Sequence, residues 1–190
     1  MSTFARILFV LGPVMYAQEP PTSLTVAVEN ASRVPPRILA SAQQEAARIF
    51  ARAGIELVWT RRDPAGPRVP VLKVVDRFDR AGYDLRLGFA LVPDPGRDFA
   101  GYAVACARCV EETVTDGSLA YALSLGYVIA HELGHVLLGS DSHSLTGIMA
   151  PEFPVQGLLR VPRDAFLFSS AQAEKMRRRA SSRVAALTTP

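Results

Sequence analysis

Residues 24–60 read LTVAVENASRVPPRILASAQQEAARIFARAGIELVWT, and the changes of period along this stretch decide the fold class. Leu24 to Glu29 alternate apolar and polar side chains, the pattern of a strand with one buried face. From Pro36 the spacing changes: Ile38, Leu39, Ala42, Ala46, Ile49, Phe50 and Ala53 fall on one face of a helix. Proline suits the first turn of a helix and glycine the position after the last, so Pro36 and Gly54 mark its ends. A second strand, Ile55 to Thr60, follows at once. Strand, helix, strand in this order makes a parallel pair with a crossover helix, so the expected class is α/β (α+β) with a mixed, twisted sheet.

Working outward, residues 63–70 are a Pro/Gly loop and residues 71–75 a short apolar run. Residues 84–92 read as a strand closed by the turn PDPGRD. Residues 99–105 and 110–114 are weaker strand candidates on either side of the cysteine segment AVACARCVEE. Residues 118–138 are helical, with Asp116 or Ser118 as cap and Gly139 as stop. After an irregular, Pro/Gly-rich stretch, a last helix is expected over 170–186, where Ser169 and Gln172 have capping-box spacing. The run Arg177 to Arg179 faces several sides of that helix and reads as solvated surface.

A chain of 190 residues with 49% hydrophobic residues has the material for one domain, residues 18–190, after a short leader. The leader is residues 1–17: Arg6, then an apolar run from Ile7 to Met15, then Ala17 before a polar, Pro-containing segment, the layout of a signal peptide. The run is too short for a permanent span, so the expected protein is secreted or periplasmic, with no stable membrane anchor. Although the net charge is +3, the 21 Lys and Arg are scattered among 18 Asp and Glu with no basic stripe, so no nucleic-acid partner is expected. Cys106 and Cys109 form a C-x-x-C pair. A redox motif wants a helix N-terminus and a four-thiolate zinc site a second pair. In this Val-rich, strand-like setting the two are expected to be structural, oxidised together in an export compartment.

The chain has three histidines, and all three lie between residues 131 and 143. His131-Glu132-Leu133-Gly134-His135 is an H-E-x-x-H sequence on an expected helix. Residues four apart share a helix face, so both imidazoles reach one ion, while Glu132 is rotated beside it and free to act as a base. Val128, Ile129, Leu133, Val136 and Leu137 make the helix a core element, where a His-Glu-His set needs a compensating partner such as a divalent cation. A catalytic zinc site takes a third protein ligand, and the chain offers Asp141 or His143 just past Gly139, or more distantly Glu152 or Glu174.

The segment HELGHVLLGSDSHSLTGIMAP resembles the active-site segment of the metzincin zinc peptidases, and among them the matrixin-type pattern. The matching positions are His131, Glu132, His135, Gly139, His143 and Met149 within Gly147-Ile148-Met149. Against the family spacing, Gly139 stands one residue late and His143 two, while Asp141 occupies the slot of the third ligand. The sequence His-Ser followed shortly by Gly-Ile-Met makes His143 the preferred ligand, with Asp141 orienting a histidine. The resemblance implies Zn2+ held by His131, His135 and His143, Glu132 as general base, Met149 beneath the metal, and a peptide or protein substrate. It also implies that an extended peptide pairs with an exposed strand edge, expected at residues 99–105. A zinc hydrolase of a non-peptide amide and a non-catalytic exported zinc-binding domain are the alternatives. Tyr121 and Tyr127 read as packing residues of the motif helix.

Overall fold

The structure, a computed structural model, describes residues 22–63, 69–78, 86–92, 100–152 and 158–188. The leader read in residues 1–17 lies outside them. The described elements are β1 (Thr22–Ala31), α1 (Pro36–Arg52), β2 (Ile55–Arg61), β3 (Val71–Val75), β4 (Gly88–Leu91), β5 (Tyr102–Cys106), α2 (Ala107–Thr113), α3 (Gly117–Leu138) and α4 (Ser170–Thr188). Two single 3₁₀ turns, Leu158–Arg160 and Arg163–Ala165, lead into α4.

The sheet has five strands in the order β2-β1-β3-β5-β4. β1 pairs in parallel with β2 and β3, β3 with β5, and β4 alone runs antiparallel, along β5. The opening unit is therefore the expected parallel pair crossed over by α1. Helices α1 and α3 pack on one another and against the sheet. Their shared core is made by Ala42, Ala46, Ile49 and Phe50 of α1 with Leu125, Ile129, Leu133 and Leu137 of α3. α3 is buried along nearly its whole length, Ala120 to Leu138, which explains why its sequence is apolar on every face. Among the described residues no helix is long and apolar enough to cross a membrane.

Two expectations are corrected. Residues 110–114 are not a strand but the end of α2, whose start is fixed by the cysteines. Cys106 is the residue before its first turn, its Sγ accepts the Cys109 N–H at 3.2 Å, and the two are joined in a disulfide. The cysteine pair thus stands where β5 passes into α2: Cys106 is the last residue of the strand and Cys109 lies in the first turn of the helix. Nor is the Arg177–Arg179 run merely solvated: Arg177 donates to Ala53 O at the end of α1, and Arg179 to Leu137 O at the end of α3, each at 2.8 Å. Both take up carbonyls that a helix end leaves without an internal partner. Arg178 pairs with Glu174.

One charge is buried between α1 and the loop before α4. Glu45, 2% exposed, accepts hydrogen bonds from Arg48 at 2.9 Å and from Arg163. Burial acts to raise its pKa, but the hydrogen bonds from Arg48 and Arg163 outweigh it and the net shift is downward. A carboxylate whose folded pKa is depressed contributes stability above the ordinary carboxylate range and loses it as pH falls through the folded value. Glu45→Gln is expected to cost about 2 kcal/mol at pH 7, with the difference from wild type shrinking in acid. Denaturant unfolding at pH 7 and pH 3 measures both, and a pH-independent difference would contradict the assignment.

Candidate metal centre

The helical register of α3 puts His131 and His135 one turn apart on the face that opens toward β4. Both are buried, at 9% and 8% exposure, and Gly139, with φ 105°, ends the helix one turn later. The chain then turns back and brings His143 to the pair. His135 Nε2 lies 3.0 Å from His131 Nε2 and 3.1 Å from His143 Nε2, and the ligand atoms of all three lie within 4.8 Å of one another.

The opposite ring nitrogens of the two helix histidines are occupied. His131 Nδ1 donates to Ile148 O at 2.8 Å. His135 Nδ1 donates to Ser142 Oγ at 3.0 Å and Gly139 O at 3.2 Å, and the Ser142 hydroxyl in turn donates to Gly139 O. With the proton on Nδ1, each Nε2 presents a lone pair to the same point. Burial pushes both histidines below their ordinary pKa, His131 to about 4, and the neighbouring imidazoles add to the shift against the opposing carbonyl bonds. Neutral rings with lone pairs converging are a donor set that a cation satisfies. Tetrahedral ligation at zinc–nitrogen distances would separate the nitrogens by about 3.3 Å, close to the spacing here, so the trio can hold a metal ion.

Of the other candidate ligands, Asp141 is exposed and stands outside the cluster. Glu174 is on α4, paired with Arg178, and Glu152 lines the neighbouring cavity without joining the three histidines. Met149 is fully buried directly under α3: a Cβ on Gly134 would lie 2.6 Å from its Sδ, so the glycine between the two helix histidines is what lets the sulfur sit there. Tyr121 and Tyr127 are packing residues, the latter tilted against Phe166 with ring centroids 4.8 Å apart, and burial raises both phenols to about 12.

Glu132 is 7% exposed, and burial pushes its carboxyl up to about 8 against the pull of Arg86. It borders a cavity of about 530 Å³ that the three histidines, Val128 and Gly88, Phe89 and Ala90 of β4 also line. The strand edge expected at residues 99–105 is corrected here. Phe99 lies outside the described residues, and β5 is paired on both sides, by β3 and β4. Among the described strands, the one at the sheet edge beside the cavity is β4. Gly88 brings it close: a Cβ there would lie 2.7 Å from Glu132 Oε1 and 2.8 Å from Val104 O, so only glycine lets this strand pack against the carboxyl.

Gln172 is a residue whose part at this site the sequence did not disclose. Its Oε1 accepts the Ser169 N–H, as the capping box requires, while its Nε2 donates to Ser142 O at 3.4 Å and Ser144 Oγ at 3.3 Å. One side chain thus starts α4 and clasps the residues on either side of His143. Its spacing announced the cap, but nothing local announced the second contact.

Compared with known proteins, the sequence matches no protein-family model and no curated protein.

One divalent ion per chain is expected. His143→Ala should abolish tight binding and Asp141→Ala should retain it, while Gln172→Ala should weaken it by about tenfold through loss of the clasp. Cobalt titration followed by visible absorption reads all three; retention in His143→Ala would remove it from the ligand set.

Proposed function

We propose that this chain is a zinc-dependent endopeptidase of metzincin type, exported through the leader read in residues 1–17. The observation that carries the reading is the convergence of three imidazole Nε2 atoms beside a buried carboxyl in a cavity bordered by an open strand edge. The motif helix α3 is followed by the Met149 segment and the terminal helix α4, an order that supports the reading. The Cys106–Cys109 disulfide fits an oxidising compartment.

Three imidazoles suit zinc, and His131, His135 and His143 would hold it. When bound, the ion supplies Lewis-acid polarisation of a carbonyl and an acidified water. The chain's own residues do the rest. The edge of β4 offers backbone N–H and C=O groups to an extended peptide, which lies across the cavity as an added strand. This edge favours a peptide over a compact amide. Glu132, held by Gly88 against the reacting end of the cavity, takes a proton from the attacking water. As the C–N bond breaks, it gives that proton to the departing amine. Ser142, Ile148 and Gly139 keep the imidazoles aligned, and Met149 fills the floor.

Glu132→Gln is expected to retain the metal and lose peptide hydrolysis by about 10²- to 10⁴-fold. Gly88→Ala, which forces a methyl group against the same carboxyl, is expected to lower kcat with metal content unchanged. Hydrolysis of a quenched-fluorescent peptide library, with chelation and zinc re-addition, tests both. A metal-loaded wild type that cleaves no peptide, or a Glu132→Gln variant of full activity, would reject the reading.

A further inference from the structure

We infer that the metal centre and the C-terminal helix hold one another in place: a cation on the three histidines fastens the start of α4, and α4 in turn keeps the histidines gathered. The inference rests on the trio holding an ion and is independent of whether peptides are cleaved.

The loop after Gly139 carries the coupling. On one side it serves the histidines: His143 belongs to the trio, Ser142 Oγ stands against His135 Nδ1, and Ile148 O against His131 Nδ1. Among the described residues, the hydrogen bonds that residues 140–149 make beyond themselves, Gly139 and α3 all go to residues 167–172. Ile148 N–H donates to Leu167 O at 3.1 Å, and Gln172 Nε2 reaches Ser142 O and Ser144 Oγ. Ile148 is therefore bonded through its carbonyl to a metal ligand and through its N–H to the segment that opens α4. The approach is close. Gly147 has φ 81°, and a Cβ on it would lie 2.5 Å from Leu167 O, so no side chain fits between the two segments. Phe168 adds an apolar contact from the same segment: its ring faces Gly134, between the two helix histidines, and meets Phe50 edge-on at 5.1 Å.

α4 is poorly provided with other means of docking. Between Ser170 and Ser182 its buried side chains are Ala173, Met176 and Ala180, a narrow seam for a helix of 19 residues. An isolated helix of that length is marginal in water, so its order depends on what it is tied to. Arg177 to Ala53 O and Arg179 to Leu137 O tie its middle, and Gln172 and Leu167 tie its start to the loop. The ring nitrogens of the trio stand 3.0 and 3.1 Å apart, a spacing that a cation stabilises and that buried lone pairs alone resist. Separating the rings moves His143 and the loop outward, away from Gln172 and Leu167. The first turn of α4 then loses its ties. Linkage makes the effect reciprocal: what loosens α4 weakens the ion by the same factor.

Amide exchange of the full chain, with zinc and with a chelator, tests the first half. Excess zinc should raise the protection of the Ala173 and Met176 amides by about tenfold or more, in step with its binding. Amides of α2, which among the described residues shares no hydrogen bond with the loop, should not change. Trypsin cleavage after Arg177, Arg178 and Arg179 should likewise be slow with zinc and fast without it. Zinc affinity, measured by competition with a chromophoric chelator, tests the reciprocal half. Arg177 bonds the end of α1 and has no hydrogen bond to the loop or to α3. Arg177→Ala should nevertheless weaken zinc about five- to tenfold, whereas Arg178→Ala, which removes only the surface pair with Glu174, should leave it unchanged. Equal protection of α4 with and without zinc, or wild-type zinc affinity in Arg177→Ala, would overturn the inference even though zinc binds. If wild type binds no zinc, the metal centre and the inference fall together. Should Arg177→Ala fail to fold, exchange and trypsin cleavage of the wild type decide alone.

Discussion

Imidazole lone pairs facing one another at 3.0 Å on a buried helix are unfavourable until something positive stands between them. Most of the structure around α3 follows from having to keep them there. The helix must be buried to hold the rings neutral and dry, so it is apolar on all sides and is enclosed by α1, the sheet and α4. The rings must be fixed from behind, so the chain beyond the helix returns to place Ile148 O and Ser142 Oγ against the two Nδ1 atoms. A helix end buried this deeply also needs its carbonyls answered. Gly139 N–H bonds His135 O and Arg179 bonds Leu137 O, which ties α4 to the same constraint.

The turn after Gly139 resolves a spacing that looked irregular. His143 is eight residues from His135, two more than the resembled pattern, and the extra length does not carry it past the site. Ser142 folds inward to accept a hydrogen bond from His135 Nδ1–H, and Gln172 holds Ser142 and Ser144 from the far side. Ser144 N–H also bonds Met149 O, so the loop is closed on the segment that supplies the floor. The longer connection is accommodated by side-chain ties on both sides of the ligand, and Asp141 is left exposed.

What was legible in the sequence was what local periodicity and end signals encode. α1 between Pro36 and Gly54, the apolar run of β3, α3 up to Gly139 and the Ser169/Gln172 cap all lie where pattern places them. The two helix histidines were legible for the same reason, since i and i+4 is a statement about one helix. α2 was not: Val110, Thr113 and Val114 favour strand, and what overrides them is a cross-link between Cys106 and Cys109 that fixes the first turn. Strand order was equally hidden, because alternation says that a segment is a strand and not which neighbours it takes. That is why the open edge proved to be β4 while β5 lies inside the sheet. The arginines of α4 show the same limit, as their partners are more than forty residues away in sequence.

The antiparallel strand β4 ties the sheet to the buried Glu132 carboxyl. β4 is short, and on the sheet side it is held by β5 and by the Cys106 N–H to Leu87 O bond just before it. On its other side Gly88 meets the Glu132 carboxyl without an intervening side chain. In the proposed reading a chain laid along β4 would be positioned by the same backbone that packs against Glu132, so that any shift of the strand would move both together. A side chain at residue 88 would separate them by the thickness of a methyl group. Under the proposed reading, the bare contact would keep a peptide on the edge within reach of Glu132, which is on a different element, and would make the register of β4 on β5 part of the site's geometry.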